Sequence, residues 1–426
     1  MTDSVEIKPL NGLDAAVAAP PAKAYTLRAI FLSALAEGES VLLNPLYGDD
    51  QRYAMDSLSG FGASFAREED RVVVEGAGEL KAPEKVYIGN SGVSMRFLCS
   101  IAALAGRGGE KIVIDGDERM RQRPVGELLD SLRTLGARVN TALDNGCPPI
   151  EVAGNSLRGG RAVVDAEKSS QFVSSLLIAL PLAPENSELA IKGAFNSRPY
   201  VGITIDCMKE FGVKARDEGD RFTVDANQSY KPRKYSIEGD YSSASFFFEA
   251  AAITGGRVRV SNLKRESLQG DKRFLGLMTK MGCKVSWQGG DVTLEGAGRL
   301  EPVEAGMADC PDIVMPLAVA CAFANGESRI TNAGTLKYKE SDRLEAVRSE
   351  LVRMGVEARV ENGAELVIQG NPGGIHGAVI ETYNDHRIAM SFAVAGLRVP
   401  GVLISNPGCV SKSFPDFFEK LEALRY

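Results

Sequence analysis

A helical stretch that ends in an apolar residue, a glycine and a small or β-branched residue returns five times along the chain. It appears as Phe61-Gly62-Ala63, Leu135-Gly136-Ala137, Phe211-Gly212-Val213, Met281-Gly282-Cys283 and Met354-Gly355-Val356. The glycines are 74, 76, 70 and 73 residues apart, and so regular a period restricts the fold to copies of one supersecondary unit. Each glycine closes an amphipathic stretch such as Val125 to Leu135 or Asp342 to Met354. Glycine takes the left-handed turn after a helix at least cost. Short strands follow at Arg71 to Val74, Phe222 to Val224, Val292 to Leu294 and Leu366 to Ile368, which predicts a hairpin in each copy.

Upstream, each copy opens on a nearly unbroken apolar helix: Arg28 to Ala36, Met95 to Ala105, Phe172 to Leu182, Ser243 to Ile253, Ile313 to Phe323 and Ile388 to Leu397. A helix apolar on every side belongs in the middle of a domain. A strand comes next, at Glu39 to Leu43, Lys111 to Ile114, Glu188 to Ile191, Arg257 to Val260, Ser328 to Ile330 and Val402 to Ile404. The sixth copy ends after its second helix, Phe414 to Leu424, and residues 4–10 are available to supply the strand it lacks. Six copies in 426 residues, more than one core can serve, predict two domains of three copies each. Residues 1–18 with 239–426 form one, completed by the N-terminal strand, and 19–238 form the inserted one, with crossings near Pro20-Pro21 and Ser236 to Gly239. An open solenoid is the simpler alternative, but it needs polar capping repeats.

The chain carries 49 Lys and Arg against 56 Asp and Glu. This acidic balance speaks against a sequence-independent nucleic-acid binder, so any anion binding must be local. The seven widely spaced cysteines read as buried cytosolic thiols. Asp3 and Glu6 near the start argue against a leader, and no apolar run is long enough for a membrane span.

The helix starts are polar: Lys23 and Arg28; Asn90, Ser91, Gly92 and Arg96; Ser169, Ser170 and Gln171; Asp240, Ser242 and Ser243; Asp309 and Asp312; Asn384, Asp385, His386 and Arg387. Taken singly, Ser and Asp there are ordinary caps. Their recurrence beside Arg and Lys points instead to phosphate or carboxylate held at helix N-termini, two such faces opposed across a hinge forming an anion trap. With two histidines, His376 and His386, and no metal-ligand cluster, a zinc site or a Ser-His-Asp triad is not expected.

Lys23 to Arg28, Asn90-Ser-Gly-Val-Ser-Met-Arg96, Arg119-Met-Arg-Gln-Arg-Pro124, Ser169-Ser-Gln-Phe172, Ser197-Arg-Pro-Tyr200, Glu238-Gly-Asp240, Pro311-Asp312, Lys339-Glu-Ser-Asp-Arg343, Tyr383-Asn-Asp-His-Arg387 and Lys412 together resemble the EPSP synthase family over essentially the whole chain. The resemblance implies an α/β (α+β) fold, a two-domain inside-out α/β barrel-like architecture of six βαβαββ-type repeats. It also implies transfer of the carboxyvinyl group of phosphoenolpyruvate to the 5-hydroxyl of shikimate 3-phosphate. By that resemblance Asp312 is the base and Glu340 the acid, with Lys23 the third catalytic residue. Lys23, Ala24, Arg28, Ser169, Ser170, Ser197, Asp312, Thr335 and Lys339 serve shikimate 3-phosphate. Lys23, Gly92, Arg123, Gln171, Arg343, Arg387 and Lys412 serve phosphoenolpyruvate. It implies a cytoplasmic monomer of the shikimate pathway, with no cofactor or metal and no nucleic-acid or membrane partner.

The sister family that loads UDP-N-acetylglucosamine carries a Cys in the loop matching Arg119 to Pro124, and none is present. Ala22 and Ala24 replace the usual serines around Lys23, Val93 a common Thr, and Thr335 a common Asn. A paralogue with a modified cyclic-polyol acceptor is thus the alternative enzyme. A catalytically silent anion-binding relative is the other, and retention of Asp312, Glu340, Lys23 and Arg123 argues against it.

Overall fold

The structure, a computed structural model, describes residues 4–425. Met1, Thr2, Asp3 and Tyr426 lie outside them, so the expected domain bounds at 1 and 426, and the reading of Asp3, concern residues not described. The chain divides into two compact units, Met1–Ala22 with Glu238–Tyr426, and Lys23–Ile237.

Among the described residues the strands form five four-stranded sheets and one three-stranded sheet, all on one plan. In one copy Lys85–Tyr87 lies parallel to Lys111–Asp115, with the helix Gly92–Ala102 as the crossover. Ile150–Ala153 then pairs antiparallel with Lys111–Asp115, and Val139–Thr141 pairs with Ile150–Ala153. The order repeats for Gly160–Asp165, Ser187–Lys192, Arg221–Val224 and Ala215–Asp217, and again for Glu304–Gly306, Gly326–Thr331, Glu365–Gly370 and Glu357–Glu361. This is the βαβαββ repeat.

Each unit also closes on itself. Lys234–Ser236 pairs parallel with Glu39–Leu43, so the last strand of the 23–237 unit enters its first sheet. In the other unit Asp14–Ala18 runs beside Arg257–Ser261, and Ser4–Ile7 pairs antiparallel with Val402–Ser405 where a hairpin strand stands in the other sheets.

The apolar helices are the cores. Every residue of Tyr241–Ile253 in the helix Tyr241–Thr254 is buried, as is all of Val314–Ala322. These two and His386–Ala395 pack against one another pairwise. In the 23–237 unit Gly92–Ala102 packs on Gln171–Ala179, and Lys23–Leu35 lies against Asp49–Gly60 and Pro199–Glu210. Phe31 meets Phe97 edge to face at 5.2 Å.

Helices begin earlier than apolar periodicity predicts: at Lys23 rather than Arg28, Gly92 rather than Met95, and His386 rather than Ile388. The first turns are polar but held by caps, since Ser91, Asp240 and Asp385 each accept a backbone N–H of the turn they open. Polar side chains are thereby fixed on helical backbone. Gly62, Gly136, Gly212, Gly282 and Gly355 all take positive φ, from 82° to 108°, two residues after the last residue of their helices.

A second left-handed position recurs without having been foreseen. Asn44, Gly193, Asn262, Asn332 and Asn406 follow the strand after the buried helix, and all have positive φ. Asn44 Nδ2 donates to the Ile237 carbonyl and Asn262 Nδ2 to the Ala19 carbonyl, each just past the neighbouring parallel strand. Asparagine tolerates this conformation because its short amide bonds locally. No helix among the described residues is long and apolar enough to cross a membrane.

Candidate active site

In the 238–426 unit the starts of several helices are tied together by one guanidinium. Asp342 caps the helix Arg343–Arg353 by accepting the Glu345 N–H. The first residue, Arg343, is buried and donates to three carboxylates: Asp385 through Nε at 2.7 Å, Asp312 through Nη1 at 3.0 Å and Glu340 through Nη2 at 2.9 Å. Arg387 adds a second cation on Asp312, Nη2 lying 2.9 Å from Oδ2. Lys412 Nζ is 3.6 Å from Glu340 Oε1. The candidate base and candidate acid are therefore linked through Arg343, with two further cations around them.

Burial alone would raise the Asp312 carboxyl, but Arg387, Arg343 and Lys339 outweigh it and hold the group well below the usual carboxylate range. Asp271 is the opposite case. Burial first, and then the negative charge of Asp312, push it up to about 7, although Ser242 Oγ donates to it. Two neighbouring carboxyls thus favour different protonation states.

Asp385 organises this corner. It accepts from Arg343 and, at 3.0 Å, from Ser341 Oγ, and it caps the Arg387 N–H at 3.0 Å. The two residues before it, Tyr383 and Asn384, both stand in the left-handed region, at φ 52° and 53°. That conformation costs roughly 1–2 kcal/mol per non-glycine residue. Removing one member of a buried charge set is more costly, about 3–5 kcal/mol.

In the 23–237 unit Lys23 opens its helix and reaches Asp50 Oδ2 at 2.7 Å. Arg28 is buried over the Phe97 ring. It donates to Thr204 Oγ1 at 2.7 Å and to the carbonyls of Ala24 and Tyr200 at 3.0 and 2.9 Å. These acceptors are neutral, and burial lowers its pKa. A buried guanidinium held only by neutral oxygens is electrostatically suited to an incoming anion.

Gly92 lies against Arg123, so that a Cβ on Gly92 would fall 2.5 Å from Arg123 Nη2. Arg123 Nη1 is held by Asn90 Oδ1 at 3.1 Å. Arg96 joins this group to its neighbours, donating to Gln171 Oε1 at 2.8 Å and to the Pro124 carbonyl at 3.1 Å. Ser169 Oγ accepts the Gln171 N–H at 3.2 Å, Ser170 is buried just before that helix, and Ser197 is buried at φ 59°.

The expected residues of the 238–426 unit are largely joined in one network, whereas those of the 23–237 unit lie in separate contacts around Lys23, Arg28, and Arg123 with Gly92. Asp312 and Glu340 meet on Arg343, Arg387 lies on Asp312, Lys412 lies near Glu340, and Lys339 acts on Asp312 by charge. Thr335 is half-buried in the short turn Gly334–Tyr338 and takes no part in these bonds. Of the three arginines in the loop 119–123, Arg123 lies against Gly92 and donates to Asn90. Arg121 pairs with Asp115 at 2.7 Å, and Arg119 reaches Gln122. Asp240 and Ser243 make a plain helix cap. Asp50, Asp385, Ser341 and Asp271 are further neighbours of these residues, through Lys23, Arg343, Asp385 and Asp312 respectively. Asp385 and Ser341 had a sequence signal, their places in Tyr383-Asn-Asp-His-Arg387 and Lys339-Glu-Ser-Asp-Arg343.

Repeats of one βαβαββ unit in two compact units, with arginines and a lysine clustered on a carboxylate pair, define an α/β protein with a candidate anion-handling site. Comparison with known proteins narrows that class. A model of the EPSP synthase (3-phosphoshikimate 1-carboxyvinyltransferase) family matches residues 7–421. A 3-phosphoshikimate 1-carboxyvinyltransferase of Methanoculleus marisnigri is 41% identical over 421 residues, 98% of each chain. One of Citrobacter koseri is 39% identical over 426 residues, again 98% of each. A solved EPSP synthase from Acinetobacter baumannii superposes with a TM-score of 0.81 at 27% identity, covering 99% of this chain and 98% of that one. The chain belongs to the EPSP synthase family.

Proposed function

We propose that the chain adds the 5-hydroxyl of shikimate 3-phosphate to C2 of phosphoenolpyruvate and then expels phosphate, giving 5-enolpyruvylshikimate 3-phosphate. The observation that carries this reading is the bridging of Asp312 and Glu340 by Arg343, with Arg387 and Lys412 alongside. The addition removes a proton from the hydroxyl and delivers one to the methylene carbon, so it needs an acceptor and a donor held in one cluster. The elimination returns the methyl proton as phosphate leaves. Asp312 acts as base and Glu340 as acid, with Lys23 assisting.

Phosphoenolpyruvate is assigned to Lys23, Gly92, Arg123, Gln171, Arg343, Arg387 and Lys412. Shikimate 3-phosphate is assigned to Ser169, Ser170 and Ser197 at its phosphate and Arg28 at its carboxylate, together with Lys23, Ala24, Asp312, Thr335 and Lys339. Prearranged cations stabilise a phosphate that gains charge as it departs. Arg343 and Arg387 hold Asp312 strongly ionised while they face it alone. An anionic substrate that shares them weakens that hold and makes Asp312 a better base at the moment it is needed.

The organisation proposed with this function is residues 1–18 with 239–426 as one domain and 19–238 as an inserted one. Closure of each unit by its own strands supports it. The enzyme works as a cytoplasmic monomer on small molecules, with side chains supplying all proton transfers.

A second reading, transfer to a modified cyclic polyol, rests on Ala24, which brings no hydroxyl to the acceptor side. Mass spectrometry of the product separates the two. The leading reading predicts 5-enolpyruvylshikimate 3-phosphate, whereas a product formed only from another acceptor contradicts it.

A further inference from the structure

We infer that Glu350 and Tyr383 form a latch that positions Arg387 for phosphoenolpyruvate, Glu350 being a positioning residue with no contact to substrate of its own. The inference rests on the assignment of Arg387 to that substrate. Glu350 is fully buried on the helix Arg343–Arg353. It lies seven residues after Arg343, two turns on and on the same face. Its Oε1 accepts the Tyr383 hydroxyl at 2.8 Å and its Oε2 accepts the Glu381 N–H at 3.1 Å.

One rigid helix therefore grips the segment 381–385 at both ends, through Glu350 at Glu381 and Tyr383, and through Arg343 at Asp385. Between those grips lie the two consecutive left-handed residues Tyr383 and Asn384. Such a turn persists only where its surroundings over-determine it. Packing covers Tyr383 only in part, its exposure being 38%. Its hydroxyl ties it to Glu350, and its N–H donates to Glu381 Oε1 at 3.1 Å. Asn406 Nδ2, at 3.1 Å from Asn384 Oδ1, is a lesser tie. The turn decides where Asp385 stands, and Asp385 caps the Arg387 N–H while Arg387 reaches Asp312. Burying a carboxylate where a neutral residue could pack is explained if its task is to restrain the turn.

The test compares Tyr383→Phe, Glu350→Gln and the double variant with the wild type in steady-state kinetics and in crystal structures. Tyr383→Phe removes one hydroxyl from a partly exposed ring, so folding is expected to survive. Its KM for phosphoenolpyruvate should rise by about tenfold, the scale of one lost hydrogen bond to a charged group. Its KM for shikimate 3-phosphate should stay within about twofold, a split that general destabilisation does not produce. The double variant should be no worse than the poorer single one, because one latch can be opened only once. Arg353→Gln removes the partly exposed partner of Glu350 outside the turn, 3.2 Å away, and should leave both KM values unchanged.

An unchanged KM for phosphoenolpyruvate in Tyr383→Phe, or equal rises for both substrates, overturns the latch. If the wild type itself turns nothing over, the functional reading has failed, and the crystal structures decide the latch alone. Departure of residues 383 and 384 from positive φ, with Arg387 withdrawn from Asp312, supports it; an undisturbed turn refutes it.

Discussion

Asp312 is the residue on which the chemistry turns, because its two oxygens meet two different guanidinium groups. Replacing it with Asn keeps the shape and hydrogen-bond acceptance at one atom but ends proton transfer. Asp312→Asn should lower kcat by about 100-fold or more, as loss of an acid or base does; turnover near the wild-type value removes Asp312 from the mechanism. Asp271 gives a pH signature of opposite sign. Its carboxyl stands at about 7 in the fold against an ordinary value of about 3.9. Between those values the folded state holds a proton that the unfolded state has lost, so this group lowers stability as pH rises through that window and no further above it. Asp271→Asn should therefore gain stability over the wild type more at pH 8 than at pH 4.5. Equal differences in Tm at the two pH values would mean that Asp271 is not held protonated.

At the scale of elements, the glycine after each amphipathic helix is a conformational requirement. A Cβ on Gly62 would meet nothing closer than 3.5 Å, yet its φ is 108°. Gly62→Ala should cost about 1 kcal/mol through the backbone alone, read as a lower urea midpoint. A gain would place the residue outside the left-handed region, since alanine there restricts only the unfolded chain. The buried helices were legible because they are apolar on all sides. The strands entering each sheet were not: Asp14–Ala18 has no buried position at all, Gly160–Asp165 has only Ala162 and Val164 buried, and both are bounded by turns that announce other elements equally well. The site divides the same way. Polar helix starts marked where anions could bind, but nothing local separates Arg123 from Arg119 and Arg121, and Asp385 gains its part only when Arg343, 42 residues away, folds onto it. Roles for individual residues came from the family pattern.

At the scale of the molecule, the strand order makes each unit complete. The first sheet of the 23–237 unit is finished by that unit's own last strand, Lys234–Ser236. A fragment of residues 23–237 should therefore fold alone and melt cooperatively by circular dichroism; a gradual, non-cooperative loss of signal would show that it needs the rest of the chain. Whether the repeated polar helix starts serve enolpyruvyl transfer is read from phosphate release after mixing the protein with phosphoenolpyruvate and shikimate 3-phosphate. Release should be stoichiometric and require both substrates. No release at millimolar concentrations of both, with release when another acceptor is supplied, would contradict it.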